Sequence, residues 1–251
     1  MTEPTPTLDP IIDDDHQRRF AGVARVYGDV ALERFQSSHA VEALARNGIG
    51  QLTLVDLDVL VASNVNRQLP AMTSTFGRGK AEVLAERVRD INPRCQVRVV
   101  DDFLTRENAL DILTPQPDII LDCCDDAKAK LTLALHARRH RNVLVVCGAA
   151  GGKMDPTRLH MADLALTEQD PLLARLRKRL RKHHGYPLEA GKVFGISCIY
   201  SDEPISTPPD MCGSASLNCS GYGSLVTVTA SMGLLAVSTA LAQLLRRKVR
   251  T

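Results

Sequence analysis

The sequence predicts an α/β fold, a doubly wound, mostly parallel sheet with a C-terminal extension, in one domain over residues 17–251. Three observations predict it. Strand and helix periods exchange four times between Gln51 and Gly152, the signature of strands joined by crossover helices. Two apolar runs, LTLVDLD at 52–58 and DIILDCCDD at 118–126, end in acids, as buried strands of an open sheet do where they meet a ligand. The 251 residues, 44% hydrophobic and 24% charged, suffice for a substantial core in a soluble protein.

Composition narrows the function. A net charge of +2 implies no polyanion partner for the chain as a whole, and DNA is not expected. Without Trp and with 4% aromatics, the chain is no base-stacking single-strand binder. Seven cysteines without a CxxC pair argue against a secreted disulfide framework and a four-cysteine zinc site, and so for a reducing compartment. The N-terminus shows no apolar signal core, and its acids do not suit a transit peptide. A cytoplasmic location is expected.

In chain order, residues 1–16, rich in Pro, Thr and Asp, form a disordered lead. Two helical pieces follow, the first with Phe20, Val23, Val26 and Tyr27 on one face and Arg19 and Arg25 beside it. A helix over Val41–Ala45 stops at Asn47-Gly48 and leads into the strand from Gln51. After Lys80 comes an amphipathic helix closed by Asn92-Pro93. Then follow the strand CQVRVVDDF, a short helix near Ala109–Leu113, the strand DIILD, a helix over Ala127–Arg139, and the strand NVLVVC. A basic helix spans 171–184. Residues 185–221, rich in Gly, Pro, Ser and Cys, read as a long crossing loop. An uncharged helix over 225–245 meets the length of a membrane span, but its Ser, Thr, Gly and Gln residues favour a core or dimer-interface helix, with membrane contact the lesser reading.

The chemistry concentrates in Gln51–Lys80. Asp56 and Asp58 stand at a strand's carboxyl end, where an acid hydrogen-bonds a ribose hydroxyl. A polar loop, Ser63-Asn64-Val65-Asn66-Arg67-Gln68, and Lys80 at a helix start supply groups for phosphates. A strand, a loop and solvated charges would account for the same residues, and both readings stand at this point. On the basic helix, Arg175, Arg177, Lys178, Arg179, Arg181 and Lys182 are dense enough to favour polyanion contact over a merely solvated face.

Taken together, LVDLD (54–58), SNVNRQ (63–68), GKAE (79–82), INP (91–93) and LDCCD (121–125) resemble the ubiquitin-activating-like adenylating enzymes, typified by activators of thiamin and molybdopterin sulfur carriers. Within that family, RRFAGVARVYG (18–28), VVDDF (99–103), GAAGGKMDPTRL (148–159), LTEQDPLLARLRKRL (166–180) and NCSGYGS (218–224) are similar to the tRNA threonylcarbamoyladenosine dehydratase branch. The resemblance implies a Rossmann-like sheet and ATP-dependent adenylation of the threonyl carboxylate of a modified adenosine in tRNA, then ring closure with loss of AMP. It implies that Asp56 holds the ribose, that Ser63, Asn64 and Asn66 make polar contacts around the phosphates, and that Arg67 and Lys80 neutralise the triphosphate. Asp125 would hold Mg²⁺, and Arg25 would reach the nucleotide of a second subunit, making a homodimer. Cys219 matches a cysteine related members carry; as cyclisation needs no thioester, it is read as structural or auxiliary, with a sulfur-transfer protein as its alternative partner. Cys123 and Cys124, at a buried strand end, are read as small hydrophobes.

One departure stands out. The family places a first strand and a GxGGVG-type turn before EALARNGIG, whereas here Ser38-His39-Ala40-Val41 runs straight into it. That turn lets the backbone approach a phosphate or adenosine closely. The sheet is therefore expected either to lack its first strand or to recruit residues 34–41. Two alternatives follow: activation of a ubiquitin-like sulfur carrier, or a non-catalytic dimeric paralogue.

Overall fold

The computed structural model describes residues 41–204 and 223–248. The proposed lead, the helices before residue 41, Arg25, Cys219 and residues 205–221 of the predicted crossing loop lie outside the described residues. The described elements are α1 (Glu42–Arg46), β1 (Gln51–Val55), α2 (Lys80–Ile91), β2 (Gln96–Val100), α3 (Ala109–Ile112), β3 (Ile119–Asp122), α4 (Ala127–His140), β4 (Val143–Cys147), β5 (Leu159–Asp163), α5 (Pro171–His183), β6 (Ser197–Ser201) and α6 (Val226–Lys248).

The strands form two sheets. β1 pairs with β2 in parallel, from Gln51↔Gln96 to Val55↔Val100. The other sheet runs β3-β4-β6-β5, parallel except for β5, which lies antiparallel on β6. Among the described residues no strand bonds to both β1 and β3. A doubly wound sheet of order 3-2-1-4-5-6 that loses strand 1 divides between strands 2 and 4. Among the described residues β1 and β3 are the neighbours at the topological switch point, where such sheets bind ligands, and their separation is called the break below.

Packing carries across the break. Leu44 of α1, Ile49 just after it, Leu52 of β1, Ile119 of β3, and Val143 and Val145 of β4 share one buried cluster with Val228, Met232, Ala236, Val237, Ala240, Leu241 and Leu244 of α6. The spacing of those α6 residues is one helical stripe, laid against the sheet. Val226–Arg246 is apolar enough to cross a membrane by length and composition, yet this stripe serves the protein core. The helix runs over Val226–Lys248, against the 225–245 expected from the sequence for a core or dimer-interface helix. A second cluster joins Ile120, Leu144, Val146 and Cys198 to Leu133 and Ala137 of α4 and Leu173, Leu176 and Leu180 of α5.

Two expectations need correction. Residues 185–221 are not all loop: Ser197–Ser201 is a central strand, bonded to β4 on one side and β5 on the other. Its apolar run is only five residues long, and the surrounding Gly, Pro and Ser masked it. Cys123 and Cys124 are not buried, because β3 ends at Asp122 and both are exposed in the turn beyond.

Gly148 follows β4 where no side chain fits. An added Cβ would overlap the Asp170 carboxylate and crowd Leu173. Asp170, 5% exposed, accepts hydrogen bonds from the amides of Ala149 at 2.8 Å and Leu173 at 2.9 Å, so it ties the glycine turn to the start of α5. Gly148→Ala is expected to cost about 1–3 kcal/mol through overpacking, read as a lower urea midpoint at unchanged m-value. A variant as stable as the parent would show that the turn can yield.

Candidate active site

The predicted residues fall into two clusters, on either side of the break. The first is built at the end of β1. The amide of Asp56 donates to Val100 O, and its Oδ1 accepts from the Asp58 amide at 2.9 Å, a tight turn at the strand's exit. The chain then pairs back on itself, with Leu60 N on Arg78 O, Lys80 N on Asp58 O and a bridge between Val59 and Gly79. This closure delivers the start of α2 to the end of β1. Lys80 Nζ consequently sits 2.7 Å from Asp58 Oδ2, its side chain only 11% exposed. Burial pushes the Asp56 carboxyl up, and the Asp58 amide and the Lys80 charge oppose that shift.

The polar loop divides by role. Asn64 is buried, and its Oδ1 accepts from the Val61 amide, so it holds the turn's shape. Ser63 and Asn66 are exposed. The Arg67 guanidinium donates to Ser63 O at 2.9 Å and Asn66 Oδ1 at 3.0 Å, and Asn66 donates to Ser224 O at 2.6 Å. Arg67 is thus fixed in a loop fastened to the segment leading into α6.

The second cluster lies at the end of β3. Lys130 and Asp122 form an ion pair of 3.0 Å with both side chains fully buried, and Lys130 Nζ also donates to Cys147 O at 2.8 Å. Burial alone would lower the Lys130 pKa; the charge of Asp122 outweighs it and holds the ammonium above the usual lysine range. Asp126 caps α4, accepting from the amides of Lys128 and Ala129. With Asp122 drawn inward and Asp126 committed to the helix, the turn between them presents Asp125 at the surface. Sequence reasoning missed Lys130, although its signal was present: residues 130, 134 and 137 lie at i, i+4 and i+7, which sets the lysine on the buried stripe of α4.

The basic helix is likewise divided. Arg177 donates to Leu164 O, Thr167 O and Thr167 Oγ1, and Arg181 donates to Pro187 O and lies over the Phe194 ring. Both are part of the α5 packing. Arg175, Lys178, Arg179 and Lys182 are exposed.

The groups present suit a nucleotide in part. Lys80 and a carboxylate at the end of β1, with Arg67 in the loop between β1 and α2, match phosphates and a ribose, and a carboxylate stands across the break for a hard cation. No three His, Cys, Asp or Glu side chains among the described residues form a metal cluster of their own. A cation here would share its coordination with phosphate oxygens.

Comparison with known proteins places the chain among relatives of known name. The chain is 40% identical to a tRNA threonylcarbamoyladenosine dehydratase of Haemophilus influenzae, over 94% of this chain and 96% of the relative. It is 39% identical to the Escherichia coli enzyme of that name, over 96% and 98%. That second alignment spans 263 positions, more than the 251 residues here, so the relative carries residues without a counterpart. The solved structure of the E. coli dehydratase with ATP superposes with a TM-score of 0.86 at 38% identity, covering 96% of this chain and 99% of that one; the AMP complex gives the same score. A molybdopterin-synthase adenylyltransferase of H. influenzae, 32% identical, aligns over only 44% of this chain, so activation of a sulfur carrier is not the favoured reading. A profile of the ThiF family matches residues 38–250, and the chain belongs to the ThiF family.

Proposed function

We propose that this chain catalyses the ATP-dependent cyclisation of N6-threonylcarbamoyladenosine in tRNA. The observation that carries this is the delivery of Lys80 to the end of β1 beside Asp56 and Asp58, on the edge of the sheet break. The threonyl carboxylate attacks the α-phosphate of ATP and releases pyrophosphate; an internal nucleophile then closes the ring and expels AMP. Asp56 binds the ribose hydroxyls. Arg67 and Lys80 balance charge that builds on the phosphates during in-line attack. Ser63 and Asn66 lie beside Arg67 to orient it, with Asn64 shaping the turn. Asp125 would hold Mg²⁺, which supplies charge neutralisation on the phosphates.

The tRNA backbone is met by Arg175, Lys178, Arg179 and Lys182 on α5. Their joint replacement by Gln is expected to weaken tRNA binding uniformly across sequences and to flatten its salt dependence, since each phosphate contact releases counterions. Filter binding across a salt series measures this; an unchanged slope would remove α5 from the interface. Val59, Val61, Val65, Leu69, Met72 and Phe76 are exposed along one loop, an apolar surface suited to a homodimer. Arg25 would reach across it. Cys219 keeps an auxiliary role, and a sulfur-transfer partner would act through it. A tRNA substrate implies work in the cytoplasm.

The test is AMP release from ATP by the purified chain with tRNA bearing the modification. Release that requires the modified tRNA supports the reading. Absence of ATP binding at millimolar nucleotide by a folded chain would instead favour a non-catalytic dimer.

A further inference from the structure

We infer that Cys123 and Cys147 form a reversible disulfide that acts on the nucleotide site. Their sulfurs lie 3.7 Å apart. The register explains why: β3 and β4 pair Asp122 with Val146, so the next residues of the two strands are Cys123 and Cys147, directly opposite. Parallel neighbours stand about 4.8 Å apart, within the Cα separation of about 4.4–6.8 Å that a disulfide spans. Closing the bond therefore asks for rotation of two side chains and no shift of strands.

The two thiols differ in access. Cys123 opens the exposed turn and Cys147 ends a buried strand, so an oxidant approaches the pair from the Cys123 side. Cys124 is exposed too, but its Sγ is turned to Asp122 Oδ1 at 3.0 Å. A hydroperoxide is the oxidant class that suits this arrangement. The Cys123 sulfur takes one peroxide oxygen, giving a sulfenic acid and releasing an alcohol or water. The Cys147 sulfur then attacks the Cys123 sulfur and expels water. Two thiols lose two electrons and two protons, and the peroxide gains both. A dithiol reverses the bond by exchange.

The bridge lies where it would be felt. Cys147 O is already held by buried Lys130, which also holds Asp122, and Cys123 opens the turn that presents Asp125. Joining Cys123 to Cys147 fixes the first residue of that turn to β4 and restricts how Asp125 meets a nucleotide. The bond itself needs nothing from the adenylation reading; its effect on ATP does, and the two are measured separately.

The purified full chain is treated with hydrogen peroxide, its free thiols are alkylated, and peptides are mapped by mass. A Cys124→Ser background leaves one assignment for any peptide linked through the turn. The expected result is a Cys123–Cys147 link that dithiothreitol reverses, that Cys147→Ser abolishes, and that weakens ATP binding about tenfold by calorimetry, within the usual range of coupling between sites. Cys123 recovered as sulfinic acid beside an alkylated Cys147, or linked to another cysteine, would overturn the pairing. A mapped bridge with ATP affinity equal to that of the reduced chain would overturn its action on the site. If the reduced chain binds no ATP, the adenylation reading fails while peptide mapping still decides the bond.

Discussion

Lys130→Met is expected to lower the unfolding free energy by about 3–5 kcal/mol, the cost of leaving one member of a buried ion pair without its partner. The structure gives this substitution little relief. Asp122 is 2% exposed, and its Oδ2 has no hydrogen-bond partner among the described residues. Its Oδ1 would keep the Cys124 amide at 3.2 Å, but the charge would stay buried with no cation beside it. The Cys147 carbonyl would lose a donor as well. The double variant Asp122→Leu/Lys130→Met removes both charges and is expected to recover most of the loss, because a buried pair and an apolar pair of similar volume are often close in stability. Urea denaturation of the three proteins, compared at common m-value, gives the coupling directly. A single variant within about 1 kcal/mol of the parent would mean that water reaches the pair.

That pair also shows where sequence reading stops. The strand ending in Asp122 was legible, since an apolar run bounded by acids has few other interpretations. So was the helix from Ala127. The bond between them was not, because periodicity places Lys130 on a buried face without saying which acid meets it. In the same way β1, α2, β2 and β4 could be read in order, whereas β5 and β6 could not. LHMAD and SCIYS are five-residue strands with exposed or small residues around them, and their pairing is set by contacts distant in sequence. The break in the sheet was legible only as a missing motif. That α6 packs against elements on both sides of it is a matter of packing, and the segment 34–41 expected as a recruited strand lies almost wholly outside the described residues. Asp56 and Lys80 could be proposed as site residues because charged residues at a strand end and a helix start have a local signature, and Arg67 because it stands in the polar loop between them. Asn64 looked equivalent to Asn66 in sequence, and only burial separates the residue that shapes the turn from the one that faces out.

Lys80→Ala is expected to reduce tRNA-dependent AMP release by about 10²–10³-fold, the loss that follows when one preorganised electrostatic contact to a reacting group is removed. The size rests on how Lys80 is held. The pairing of Val59 with Gly79 and of the Lys80 amide with Asp58 O fixes its backbone, so the ammonium reaches the β1 terminus already placed. Folding should change much less than rate, since Asp58 is 58% exposed and water can take over its solvation when the lysine is gone. Separating rate from fold is what gives the test its force. A variant that melts like the parent, binds tRNA like the parent and has lost AMP release assigns Lys80 to the reacting phosphates. Lys80→Arg then asks a finer question: a restored charge with a wider, planar head should recover part of the rate only if the requirement is for charge, and none if a single compact cation must fit beside Asp58. AMP release at the parent rate in Lys80→Ala would remove this lysine from catalysis. It would leave Arg67, already oriented by Ser63 and Asn66, as the cation that faces the phosphates from this side of the break.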